Sequence, residues 1–187
     1  MGHAVSRVSP KSSGGMELGE DIKNFIELRG SVECIVEENG IEWVAHHKPN
    51  LIVKLGAKAL AHLLAEGDAT YAISKFRIGT QGHNGTDITS PVAPTVDDTD
   101  LNDTTNFFEK NFVKPDDLTY LPSTDETQIQ FTLVVEKTEG NPGSGSRAYT
   151  EAGLYSANGN LFARETFPAV VKTDQRKITF RWTILFD

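Results

Sequence analysis

Between Lys177 and Phe186 the chain alternates almost without a break. Ile178, Phe180, Trp182, Ile184 and Phe186 fall on one side, and Lys177, Thr179, Arg181 and Thr183 on the other. A period of two belongs to a β-strand with one covered face and one wetter face. The stretch TQIQFTLVVE repeats the pattern, with Ile129, Phe131, Leu133 and Val135 on one face. Strands of this kind must bury the apolar face against a second layer, which limits the chain to a few layered architectures.

Turn chemistry divides the rest. SVECIVE and IEWVAH flank Glu38-Asn39-Gly40, and Asn-Gly accepts positive φ at both central positions of a tight hairpin. TEAGLYS and NLFARE form a second hairpin across Ala157-Asn158-Gly159. ISKFRIG reads as a short strand leading into the Gly-rich loop GTQGHNGTD. Residues 51–65 change period: Ile52, Leu55, Ala59, Leu60, Leu63 and Leu64 recur at three and four, the mark of one amphipathic helix. Asn50 is its expected N-cap and Gly67 its expected stop. From about 80 to 126 the chain is rich in Thr, Asp and Pro, read as long connections around one exposed strand at FFEKNFV. Residues 1–20, rich in Ser, Gly and Pro, read as an extended N-terminal arm. The expected whole is mainly β: residues 21–187 as a single antiparallel β-sandwich domain with one packed helix.

Composition narrows the function classes. The 187 residues carry 18 Lys and Arg against 26 Asp and Glu, a net charge of -8. A phosphate backbone is repelled by such a surface unless a local basic patch exists, and the candidates for one are only Arg164, Lys172, Arg176 and Lys177. The expectation is no nucleic-acid partner. No apolar run approaches the ~20 residues that cross a bilayer, and MGHAVSRVSPKSSGG lacks the apolar core of a secretory signal. Neither a membrane partner nor export is expected. Cys34 is the single cysteine, so no internal disulfide and no cysteine-based metal site can form, and it reads as a small buried hydrophobe.

No catalytic, cofactor-binding or metal-ligating set emerges. His46 and His47 are adjacent on a strand and point to opposite faces. His62 sits at the margin of the helix's apolar side, and no HExxH spacing occurs. Asp97, Asp98, Asp100 and Asp103 offer oxygens to calcium, but the spacing is not that of an EF-hand loop, and a solvated acidic loop is the expected state. There is no G-x-S-x-G and no Gly-Lys-Ser/Thr, and NPGSGSR reads as a flexible turn. One polar pair stands out inside the β region. Glu151 shares a strand face with Gly153 and Tyr155, and Arg164 lies within reach across the hairpin. Two readings are open: an exposed cross-strand pair worth little, or a buried pair that fixes register or a subunit contact.

The segment TEAGLYSANGNLFARETFPAVVKTDQRKITFRWTILF resembles the C-terminal half of small β-rich virion proteins of tailed bacteriophages. These carry a T/R-E-x-G-L-F/Y strand, a short turn, an L-F-A-R strand and a last strand ending W-x-I/L-x-F. The same broad pattern occurs in tail-collar and tail-fibre attachment domains. PNLIVKLGAKALAHLLAEGDATYAISKFRIGTQG and the acidic DDTDL element at 97–101 are similar to those families in order, so the resemblance spans most of residues 49–186. It implies a non-enzymatic structural subunit of the virion, made in the host cytoplasm, placed in the tail, collar or baseplate and anchoring fibres or neighbours. The implied partners are other virion proteins and further copies of the chain, in a homo-oligomer. No cofactor and no catalytic residues are carried over. The alternative is a carbohydrate-binding sandwich recognising a host-surface glycan, with Trp43, Tyr71, Tyr120 and Tyr149 as the candidate stacking residues, although both tryptophans lie in alternating strands where core packing is the more natural place.

Overall fold

The computed structural model describes residues 28–122, 125–142 and 145–186. The arm read from residues 1–20 lies outside the described residues. Within them the order is β1 (Leu28–Glu38), β2 (Ile41–Pro49), β3 (Leu51–Ile52), α1 (Lys54–Glu66), a short 3-10 turn (Ala69–Tyr71), β4 (Ile73–Gly79), β5 (His83–Asn84), β6 (Asp87–Pro91), β7 (Phe108–Asn111), β8 (Leu118–Leu121), β9 (Gln128–Val135), β10 (Arg147–Ser156), β11 (Leu161–Lys172) and β12 (Arg176–Phe186). Two five-stranded sheets result, ordered β2-β1-β12-β9-β8 and β3-β11-β10-β4-β7, with β5 and β6 as a separate two-stranded ribbon. Every pairing is antiparallel. The fold is mainly β, a sandwich with one helix, as the alternation requires.

The core lies between the two sheets. Val32, Cys34 and Val36 of β1 and Phe180 and Trp182 of β12 meet Phe76 and Ile78 of β4, Ala152 and Leu154 of β10 and Phe167 of β11. Phe76 and Phe180 touch ring to ring at 4.9 Å, and Phe76 stands edge-on to Trp182 at 5.9 Å. These tilted and edge-on geometries are the ones ring quadrupoles favour. The hairpin at Asn39-Gly40 has positive φ at both residues, 54° and 79°. Burial around Cys34 pushes its thiol far above the usual range, so it is a core residue and a poor nucleophile.

Three readings of the sequence need correction. The helix starts at Lys54, because Leu51 and Ile52 pair with Arg164 and Ala163 of β11 as a short edge strand. Asn50 is therefore not the N-cap. Val53 takes that position without a side-chain cap, while the Asn50 main chain bonds to Gly30 O at 3.0 Å. Gly67 does end the helix, left-handed at φ 64°. Leu64 is not on the buried side and is 80% exposed. Gly56 sits directly on the backbone of β11: a Cβ there would strike the Phe162 carbonyl, so the glycine sets how closely the helix approaches the sheet.

Second, residues 80–126 are more ordered than long connections around one exposed strand. They hold β5, β6, β7 and β8, and Phe112, just past β7, is buried in the core. Third, the acidic stretch is not simply solvated. Leu101 and Asp103 are buried, and Asp98 and Asp100 are half-buried.

Candidate functional site

β10 lies in the middle of the second sheet, between β11 and β4. Alternation sends Ala152 and Leu154 into the main core and leaves Glu151, Gly153 and Tyr155 on the outer face. A bare outer face would be wet, but the acidic stretch folds across it. Leu101 packs with Tyr155, Leu161 and Val53 as a second small apolar cluster. Glu151 becomes fully buried beneath this cover.

A buried carboxylate needs donors on every side. Glu151 Oε2 accepts from Arg164 Nη2 at 2.7 Å and from the main chain of Asn102 at 3.0 Å, and Oε1 accepts from the main chain of Asp103 at 2.8 Å. Arg164 forks: its Nη1 reaches Asp98 at 2.6 Å. The structure thus brings Glu151 and Arg164 together and buries both. They are not directly opposite in the ladder, where Glu151 faces Thr166 and Arg164 faces Gly153, so the contact is diagonal.

The same covering stretch makes a second layer of bonds. Asp103 accepts from the Thr80 main chain and hydroxyl at 2.9 and 2.7 Å, and from the main chains of Thr105 and Asn106 at 3.2 and 2.7 Å. Tyr155 donates its hydroxyl to Asp100 and accepts from the Leu101 main chain. Arg77 bonds to Asp100 and Glu109 and lies over the Tyr155 and Phe107 rings at 4.3 and 4.5 Å. Gly79, the last residue of β4, and Gly82, in the loop that follows, have no room for a Cβ: Glu151 and Asp103 crowd the first, and the Thr150 carbonyl and Glu151 the second. The Gly-rich loop thus accommodates the buried acid, which no motif in the sequence announced.

Burial works to raise the pKa of Asp98 and of Asp103, but the donated hydrogen bonds outweigh it. Bonds from Thr95 and Arg164 hold Asp98 below the usual carboxylate range, and bonds from Thr80, Asn106 and Thr105 hold Asp103 there. Burial, aided by Asp100, pushes the Tyr155 hydroxyl well above its usual value. The sign for stability follows. A carboxylate depressed in the fold contributes stability that is present above its unfolded value and is lost as pH falls through the folded value. The urea midpoint is therefore expected to hold steady from neutral pH to about pH 5 and to drop below about pH 4. Asp103→Asn should flatten that acid limb, and an unchanged limb in the variant would show that Asp103 does not carry it.

Chemically, the network is a clamp. Each Glu151 oxygen is committed to an internal donor, so it has no open position for a substrate or ion. Among the described residues no group of three or more His, Cys, Asp or Glu side chains is placed to hold a metal ion. His46 is buried and contacts Glu165 of the facing sheet at 3.2 Å, while His47 is exposed; His62 stacks flat on Tyr71 at 4.3 Å. The four cations Arg164, Lys172, Arg176 and Lys177 form no surface patch. The first two are buried, Lys172 with its ammonium on the carbonyls of Lys137 and Thr173 and on Asn141, and the other two pair with Glu38 and Glu37.

The four candidate stacking residues do not share a face. Tyr149 is fully buried, its hydroxyl donating to Gly140 O at 2.6 Å, and so cannot stack on a ligand. Tyr71 is half-buried against His62. Trp43 on β2 and Tyr120 on β8 are exposed, but they sit at opposite edges of the first sheet. Of the two tryptophans only Trp182 is in the core. Trp43 shares a face with its ladder partner Val36, yet the second sheet covers His46 and leaves Trp43 40% exposed.

β2 is the other feature of note. It is nine residues long, pairs only with β1 among the described residues, and is exposed along its length except at His46. Ile41, Trp43 and Val44 are all exposed on it, covering both faces next to an edge that no other described strand pairs with. An open edge with apolar side chains invites a further strand. Comparison of the chain with protein-family models, with curated proteins and with solved structures returned no match. Among the described residues no helix is long and apolar enough to cross a membrane.

Proposed function

We propose that this chain is a non-enzymatic structural subunit of a tailed-phage virion, a tail, collar or baseplate component that holds neighbouring subunits or fibres. The observation that carries the assembly reading is the outer edge of β2, unpaired among the described residues, with Ile41, Trp43 and Val44 exposed beside it. A second copy meeting β2 antiparallel about Ala45 would set Glu42 of each chain opposite Lys48 of the other, so opposite charges pair in that register. The buried clamp supports the same reading, since it fixes a long surface stretch in one shape, as an interface needs. The virion context itself rests on the sequence resemblance across residues 49–186.

Two measurements test this. Density-gradient-purified tailed particles from cells encoding the chain should contain it in stoichiometric amount, and its absence from them would end the virion reading. Light scattering of the purified chain should give a mass near a multiple of 20.5 kDa. Val44→Lys should shift that mass to the monomer, because the new charge lies at the pairing edge. An oligomer indifferent to Val44→Lys would move the interface away from β2.

A further inference from the structure

An open apolar groove of about 290 Å³ enters one end of the sandwich, between α1 and the strand ends. Its floor is made by the core itself: Phe131 and Ile184 come from the first sheet, Ile73 and Phe162 from the second. All four are buried, so the groove is a cleft in the packing and not a patch laid on the surface. Leu60 and Leu63 of α1, both half-buried, form the outer wall. An apolar cleft left in water forfeits the burial that the rest of the fold exploits.

Two polar side chains stand in the lining. Tyr120 of β8 is exposed, and Lys114, just past β7, is exposed and is the one charged residue there among the described residues. Lys114 forms no ion pair among the described residues, whereas Lys75, Lys110 and Lys177 each hold a glutamate. Asp117, three residues on, is turned to the main chain and accepts from Val113 N at 2.7 Å. An apolar cleft with a few polar groups at its mouth is the usual form of a small-molecule site, in which the polar groups fix the ligand's direction. The chemistry of this lining selects the ligand. A sugar would find almost no hydrogen-bonding partners along the walls, and a cationic head would be repelled by Lys114. An aliphatic chain ending in an anion satisfies both the walls and the ammonium.

We propose that this groove binds a medium-length aliphatic carboxylate, its tail between α1 and the ends of the sheets and its carboxylate paired with Lys114. The assignment goes beyond the assembly reading and does not rest on it.

The test is calorimetric titration of the full chain with decanoate. Saturable one-to-one binding is expected, with a dissociation constant of about 1 mM or tighter. Along the series from hexanoate to decanoate the affinity should rise about threefold for each added methylene, because each one is buried against the apolar walls. Lys114→Glu, a change at an exposed position, should weaken decanoate binding about five- to tenfold and leave octan-1-ol binding within about twofold of the native value. No saturable binding would overturn the proposal, as would an affinity indifferent to chain length or a Lys114→Glu variant that binds decanoate as the native chain does. Cosedimentation with anionic phospholipid vesicles in the absence of decanoate binding would assign the groove to a membrane surface and overturn it equally. A Leu63→Asp variant that splits a native oligomer would make the groove a contact between copies, with the same consequence.

Discussion

Replacing Arg164 by Ala is expected to lower the unfolding free energy by about 3–5 kcal/mol, measured by urea denaturation at neutral pH. The size follows from what is left behind. Glu151 is fully buried, and without the guanidinium it keeps only the main-chain donors of Asn102 and Asp103. Asp98 loses its cation at the same time. Lys should not rescue the loss, because one ammonium cannot reproduce a planar fork that reaches Asp98 with one nitrogen and Glu151 with the other. The double variant Glu151→Leu with Arg164→Leu should cost clearly less than the sum of the single changes, since it removes both buried charges together. A loss below about 1 kcal/mol for Arg164→Ala would place the pair among ordinary surface ion pairs and refute the clamp.

The parts of this fold that the sequence displays are those set by local rules. Ile178, Phe180, Trp182 and Ile184 are buried as their alternation demands. Asn39-Gly40 turns as its φ preferences demand. The first turn of the helix is not legible in the sequence, because Leu51 and Ile52 fit a helical period as well as a strand. The deciding partner, β11, is more than a hundred residues away. The exposure of Trp43 is hidden for a related reason: alternation gives the face of a strand, not how far the opposite sheet extends over it.

Glu151 and Arg164 were visible as a pair, but their burial was not. That depends on the stretch 98–103 folding over β10 and bringing main-chain N–H groups, which carry no side-chain signature. Asp98, Asp100 and Asp103 looked like a solvated acidic run for the same reason. The one available clue was the glycines: Gly79 and Gly82 make room for Glu151. A glycine-rich loop without a phosphate motif can mark a bulky buried neighbour.

The other large effect is expected at Trp182. It occupies the middle of β12, the central strand of the first sheet, and is fully buried against Phe76. Trp182→Ala should cost about 3–5 kcal/mol, because the neighbours are held by two ladders and cannot collapse into the space. Trp182→Phe should cost only about 1–2 kcal/mol, since it keeps an aromatic ring in contact with Phe76 and removes less volume. The indole Nε1 strengthens the contrast: it is buried with no hydrogen-bond partner among the described residues, so exchanging it for a hydrocarbon edge removes an unpaired donor rather than a bond. Urea unfolding followed by far-ultraviolet circular dichroism reads both variants without the lost fluorophore. Equal losses for Phe and Ala would mean that the indole edge, not the filled volume, holds the centre of the core; a much smaller loss for Phe would show that shape and apolar contact between the sheets do so.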